Sequence, residues 1–438
     1  MRLQFLVKIL FVIYTFAALE FFQPLNLIEP ELAKAISYVA MASIWLLSII
    51  CDVKERHIAS FKRHLKVVLL MMLVSTVMPE LCYFDQSVPA TFIATLPFLS
   101  YGLYIAMRKF GIQRSFFYRL VISIIVISII THIINLRTFP IIMFGELQDD
   151  YEFDRGGLRL VIQGFNFIIL GFFIAAGEFM RSKRIRWIPM LIVCFVMIFL
   201  SYTRQHIVMC TLLGAWILLR SSGGRWRQVV IGITAVAMLA YILPKIPIVK
   251  QLVNVTIEQH ERNEAANREN VRIVAARYYG WEAFENVSNR IFGNGVPSYH
   301  SKWGMEFKVH ADMENLYTVD VGWFGFNWYF GIIAVIFMIL IFYRAIAPRH
   351  NPHSNVGRYY FIWLSVTSLI SGSLLYQYEI VVTIIALCII DCDNEEYSQP
   401  QALKPQPAQT TAPAIFGSDV FSWTKIKPKS FDETEHKS

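Results

Sequence analysis

The sequence predicts an all-α protein, a polytopic transmembrane bundle of about 12 spans with a large outer helical loop. Three observations predict it. Of the 438 residues, 55% are hydrophobic and 16% charged, with a mean hydropathy of +0.47, outside the range of an ordinary soluble domain. Apolar runs close to the ~20 residues that cross a bilayer recur along almost the whole chain. Short loops rich in Lys and Arg alternate with loops that are acidic or nearly uncharged, the asymmetry that orients membrane helices.

Taken in order, the expected spans lie at 4–22, 32–50, 66–83, 88–107, 118–136, 159–180, 187–203, 205–219, 228–246, 321–343, 359–376 and 379–391. The first carries Lys8 and is followed by no small-residue cleavage motif, so it reads as a retained helix rather than a signal peptide. The last is short enough to be tilted or partly interfacial. This divides the chain into a first bundle segment (1–246), a large outer loop (247–320), a second bundle segment (321–392) and a tail (393–438). The tail contains SQPQALKPQPAQTTAPA and holds too little apolar content to fold, so it is expected to be disordered.

The loops at 108–119, 181–186, 220–227 and 344–358 hold fourteen Lys or Arg and no Asp or Glu. Between them lie QPLNLIEPE, PELCYFDQS and TFPIIMFGELQDDYEFD. The alternation places both termini in the cytoplasm. It also makes the net charge of +8 a topology signal, and no nucleic-acid partner is expected. Cys194, Cys210 and Cys388 fall inside spans, Cys51 and Cys392 on the cytoplasmic side, and Cys82 near the outer face. Neither a disulfide framework nor metal-ligand spacing emerges. There is no CxxC, HExxH, Walker loop or GxGxxG, so neither metal nor cofactor is expected.

Residues 137–158 and 247–320 exceed the other outer connections in length, and long loops on a rigid scaffold commonly carry function. Within the second, Val271, Val274, Tyr278, Trp281, Phe284, Val287 and Ile291 recur every three or four residues. The spacing predicts one amphipathic helix, whose apolar stripe either packs on the bundle or rests in the outer lipid interface. FGNGVPS then ends it, since two glycines and a proline force a turn.

The outer face collects charge that topology does not explain. Arg155 and Arg159 lie in DRGGLR, Arg204 at the tight turn of FLSYTRQH, and Arg272 and Arg277 on the loop helix. His310, Asp312 and Glu314 lie in HADMENLYTVDVGWFG, where the loop re-enters the membrane. Each has a bland reading and a chemical one. Arg204 either snorkels to headgroups or binds a phosphate-bearing lipid, because a guanidinium grips phosphate oxygens bidentately. Arg155 and Arg159 either pair with Asp149, Asp150, Glu152 and Asp154 or contact substrate. Arg272, with Arg268 and Glu269, reads as a surface partner; Arg277, four residues before Trp281, is better placed for a site. His310 is either structural or a general base with two carboxylates to orient it or share its proton.

Three of these stretches carry a resemblance. FLSYTRQHIVMCTLLG resembles the Leu-Ser-x-Ser-Arg stretch of the O-antigen polymerase and O-antigen ligase superfamily of bacterial membrane glycosyltransferases. RYYGWEAFENVSNRIFGNG is similar to that family's Arg-x-x-x-Trp segment running into a Gly-x-Gly turn. ENLYTVDVGWFGFNWYFGIIAVI resembles its His-Asn-x-Tyr segment with Gly-x-x-Gly and a helix. The resemblance covers residues 140–345. It implies transfer of a sugar chain from a polyprenyl-diphosphate carrier at the outer, periplasmic face of the bacterial inner membrane. By position, Arg204 and Arg277 match the family's substrate-binding arginines, and Arg155 more loosely. Glu314 stands where the family has the His of His-Asn, so His310, Glu314 and Asp312 remain candidates for the base.

The expected function is therefore polymerisation of lipid-linked repeat units into O-antigen, capsule or exopolysaccharide. Its partners are the polyprenyl-diphosphate-linked oligosaccharide, membrane lipid and, as a candidate, a chain-length regulator. The rivals are a ligase with the same chemistry, a flippase or transporter of lipid-linked oligosaccharide, and a non-catalytic sensor.

Overall fold

Helices start and stop where the apolar runs meet proline, glycine or charge. The computed structural model describes residues 2–19, 29–51, 57–82, 84–139, 141–144, 162–201, 203–220, 270–347 and 356–398. The first half comprises α1 (Arg2–Ala18), α2 (Pro30–Ile50), α3 (Lys62–Ser75), the short α4 (Met78–Leu81), and α5 (Val88–Leu99), which continues through a 3-10 turn into α6 (Leu103–Lys109). It goes on with α7 (Arg114–Thr138), α8 (Phe165–Ser182), α9 (Trp187–Leu200) and α10 (Arg204–Arg220). The second half has α11 (Val271–Arg277), a π turn (Tyr278–Glu282), α12 (Val287–Phe292), α13 (Lys302–Glu314), a 3-10 turn (Thr318–Asp320), α14 (Gly322–Ile346), α15 (Val356–Thr367) and α16 (Gln377–Ser398). Prolines open α2, α4 and α5, positions where the missing N–H has no intrahelical partner to lose.

The described residues are all-helical and contain no strand. Six stretches are long and apolar enough to cross a membrane: Glu31–Ile50, Lys62–Leu81, Val88–Lys109, Arg114–Thr138, Phe165–Ser182 and Gly322–Ile346. Helices α1 and α9 are apolar but shorter. Each expected span that falls among the described residues carries a helix, while 228–246 lies outside them.

One end of the bundle is basic and tied together by polar contacts. Gln4 Nε2 donates to the Phe110 carbonyl at 2.7 Å, Lys109 Nζ to the Ser48 carbonyl at 2.6 Å, and Arg344 Nη1 to the Ser60 carbonyl at 3.3 Å. The acidic end of α16 closes the same cluster. Arg114 Nη1 meets Asp393 at 2.6 Å and Glu396 at 2.9 Å, and Arg108 pairs with Glu395. Asp391, fully buried, accepts from Ser60 N at 3.1 Å and from the Tyr104 hydroxyl. The last helix runs on to Ser398, past the expected end of the span at 391. Residues 399–438, most of the expected tail, lie outside the described residues.

The opposite end is built from turns that cap helices. Gly322 N and Trp323 N, at the start of α14, donate to the carbonyls of Ser371 and Ser368 at 3.2 and 3.1 Å. Two of the orphan donors of a helix N-terminus are thereby satisfied. The second half of the expected span at 359–376 is accordingly a turn rather than helix.

A break in α14 receives the glycine turn expected from FGNGVPS. Gly331 has φ 78 and ψ 170, a conformation essentially restricted to glycine. The break frees the carbonyls of Trp328 and Tyr329, which accept from Asn294 N at 2.8 Å and Gly295 N at 3.0 Å. Residues 293–297 are buried there. Backbones touch at this point, since a Cβ on Gly331 would lie 2.6 Å from Gly293 N. Gln86, 4% exposed, fastens the following loop by donating to the Val296 carbonyl at 2.8 Å and accepting from Ser298 N and Ser301 Oγ, both at 2.7 Å.

Candidate functional site

The expected single loop helix is two helices with a break, and its 256–269 portion lies outside the described residues. Asn270 caps α11 by accepting from Arg272 N, and Asn286 caps α12 by accepting from Asn289 N. The π turn between them shifts the helical phase. Ala275, Tyr279 and Phe284 are buried, while Val271, Trp281 and Val287 of the expected stripe are exposed. Tyr279 anchors the segment, its hydroxyl donating to the Leu316 carbonyl at 2.6 Å and its ring standing edge-on to Trp328.

Helix α13 carries the expected base candidates. Its inner face sets Trp303 and Phe307 in stacked contact with Trp328, with ring centroids 5.9 and 4.8 Å apart. Its outer face exposes Met305, Val309 and Met313, which with His300, Glu306 and His310 line an open groove of about 640 Å³. Ser301 caps the helix by accepting from Gly304 N, and Asn315 ends it at φ 54.

His310, Asp312 and Glu314 all lie exposed on α13 and are not assembled into one constellation. Residues two apart on a helix point about 200° from each other, so Asp312 turns away from His310. Asp312 instead accepts from Tyr317 at 3.1 Å, a bond that pushes the tyrosine hydroxyl above its usual titration range. The His310 ring lies 5.5 Å from that of Tyr278. Among the described residues no hydrogen bond or ion pair joins His310 to Glu314. Arg277 pairs with Glu282 at 3.1 Å across two half-exposed side chains. Arg272 is exposed and close enough to act on Asp320, whose carboxyl burial pushes up and Arg272 pulls down. Arg155 and Arg159 lie outside the described residues.

Arg204 opens α10, soon after α9 ends at Leu200, so the connection is as short as the sequence predicts. It is half-buried, and among the described residues its guanidinium makes no hydrogen bond or ion pair. Arg277, by contrast, has a carboxylate partner.

Behind the start of α10 lies a buried cluster of aromatic and polar side chains that the sequence reading missed. The His206 ring packs 5.2 Å from both Phe165 of α8 and Trp363 of α15, and Trp363 lies 5.6 Å from Tyr360. Glu379, in the first turn of α16, lies beside Asn166 and Ser373. Ser373 and Asn166 hydrogen-bond its carboxyl, and the enclosed Trp363 Nε1 has no hydrogen-bond partner among the described residues. Asn166 is 3% exposed and Trp363 fully buried. The signal in the sequence was Glu379 itself, an acid at the edge of the apolar run of YEIVVTIIALCII. Among the described residues no group of three or more His, Cys, Asp or Glu side chains is disposed to hold a metal ion. Neither models of known protein families nor curated proteins match this sequence.

Proposed function

We propose that this protein is a membrane glycosyltransferase that polymerises polyprenyl-diphosphate-linked oligosaccharide repeat units into O-antigen, capsule or exopolysaccharide at the outer face of a bacterial inner membrane. In this reading the chain crosses about 12 times, both termini face the cytoplasm, and the 247–320 segment is periplasmic. The clustering of Lys109, Arg114 and Arg344 at one end of the bundle agrees with that orientation.

The observation that carries the reading is the half-buried Arg204 guanidinium, without a partner among the described residues, at the end opposite the basic cluster. A guanidinium with no partner among the described residues, in a partly desolvated place, fits a diphosphate, whose oxygens it holds in two parallel charge-assisted bonds. Glycosyl transfer from a diphosphate carrier needs stabilisation of the charge that grows on the leaving group. A fixed cation aimed at that charge supplies it without reorganisation. Arg155, Arg159, Arg272 and Arg277 are secondary contacts in this scheme, and Arg277 must exchange Glu282 for substrate.

The purified protein in lipid nanodiscs, given a polyprenyl-diphosphate-linked oligosaccharide, is expected to yield a ladder of lengthening products. Arg204→Ala should abolish the ladder while leaving protein level and melting temperature near wild type. Arg204→Lys should rescue poorly, because lysine keeps the charge and loses the planar two-toothed grip. Normal extension by the lysine variant would reduce Arg204 to a snorkelling anchor. Transfer of finished glycan to a separate acceptor without lengthening would favour the ligase, and movement of intact donor between leaflets the flippase.

A further inference from the structure

We propose that the outer face of α13 is an interface between two copies of this chain, which meet in antiparallel register about a twofold axis beside Val309. The inference stands apart from the glycosyl-transfer reading.

Helix α13 buries only a narrow face. Trp303 and Phe307 stack on Trp328 and Ala311 is buried, while on the opposite side Met305, Val309 and Met313 are 59, 55 and 77% exposed. These three recur every four residues, the spacing that forms a continuous ridge along a helix. Beside the ridge runs the open groove of about 640 Å³, which His300, Lys302 and Glu306 help to line. A ridge next to a groove is what one helix needs to receive the same face of another. Tyr299, 60% exposed with Lys308 Nζ 5.7 Å from its ring centre, adds an aromatic surface on the Lys308 flank. Methionine and tyrosine are enriched where proteins meet.

Charge identifies the occupant. Lys308 and Asp312 border the ridge on one flank, Glu306 and His310 on the other, and all four are exposed. When two such helices run antiparallel, the two copies of Val309 face each other, and Met305 of one faces Met313 of the second. The flanks then bring Lys308 of one copy beside Asp312 of the second, and Glu306 beside His310, each pair occurring twice. Acyl chains of a bilayer would leave these groups unmatched, whereas a second copy matches them. The direction of pairing follows from the fold. Near the start of α5, Ser301 Oγ donates to Gln86 at 2.7 Å and Lys302 meets Asp85 at 2.8 Å; from Asn315 the chain runs into the start of α14. Both α5 and α14 begin at the end opposite the basic cluster, so α13 runs along that end of the bundle. Two copies in one membrane share an orientation, which sets their twofold axis normal to it. A helix lying across such an axis meets its copy antiparallel. A parallel pair would need the axis along α13 and would turn one copy over in the membrane.

Cysteine cross-linking of the full-length protein in native membranes tests the register. On mild oxidation Val309→Cys should give a disulfide-linked dimer, while wild type, whose six cysteines are free, should not. Met305→Cys and Met313→Cys should each stay monomeric alone and form a mixed dimer when two differently tagged chains are coexpressed. In detergent, light scattering should give the mass of two chains. Lys308→Glu should raise the dissociation constant about tenfold or more, because it sets like charges together beside Asp312, and the exchange Lys308→Glu/Asp312→Lys should restore it. Cross-linking by Met305→Cys alone would overturn the antiparallel register. A wild-type monomer would overturn the interface itself. In that event, rapid labelling of Val309→Cys by a water-soluble maleimide would show a bare face, and quenching of a fluorophore there by brominated lipid would show a bilayer contact. A different protein that copurifies and shields Val309→Cys would assign the face to that protein and equally refute the proposal.

Discussion

Replacing Gly331 by alanine tests whether the glycine turn at 293–295 and the break in α14 form one device. Gly331 sits at φ 78 and ψ 170, where a residue with a Cβ costs about 1–3 kcal/mol. The added methyl would also press on the Ile291 carbonyl and come within 2.6 Å of Gly293 N. Both contacts are with backbone, so the turn must retreat rather than a side chain swing aside. Retreat breaks the bonds from Asn294 N and Gly295 N to the Trp328 and Tyr329 carbonyls, each worth about 1 kcal/mol net. The total is about 3–5 kcal/mol, large for a single methyl group. At about 2 °C per kcal/mol for a large chain, the melting temperature should fall on the order of 6–10 °C. The buried thiols of Cys194, Cys210 and Cys388 provide the assay, since a thiol-reactive dye reports their exposure as detergent-solubilised protein is heated. Ile332→Ala, at a neighbouring exposed position, is the control and should move the melt little. A Gly331→Ala protein that melts within 2 °C of wild type would refute the coupling of turn and kink.

Two further outcomes follow from polar clamps. Gln86→Ala removes the group that ties Val296, Ser298 and Ser301 to the start of α5, so limited proteolysis should cut near 298–301 faster than in wild type while the bundle helices stay protected; unchanged cleavage would show that the loop holds its place without Gln86. Arg108→Met strips the cation from the buried Asp391 and from Glu395, which should cost about 3–5 kcal/mol. It would be read as a lower melting temperature, and the double variant Arg108→Met/Glu395→Gln should recover part of it. Equal melts for both variants would count against the pairing.

The sequence by itself determined the elements. Apolar runs of bilayer length, prolines at helix starts and the FGNG stop are local signals, and backbone hydrogen bonding in an apolar medium leaves helix as the outcome for such runs. It also singled out Arg204, because an arginine between two apolar segments needs no tertiary knowledge to look out of place. Partners were another matter. The basic loop at 108–119 read as topology alone, whereas Arg108 and Arg114 meet acids almost three hundred residues away at the end of α16. The spacing of 271–291 promised one stripe, but the π turn at YYGWE adds a residue to one turn and rotates everything beyond it. His310 and Asp312 are neighbours in sequence and point apart in space because the segment is helical. Asn166 of α8 and Glu379 of α16, far apart in the chain, meet only through packing. Periodicity fixes which face of a helix is apolar. Which side chains then meet across helices depends on phase and on the contacts of every neighbour at once, and these exist only in the folded bundle.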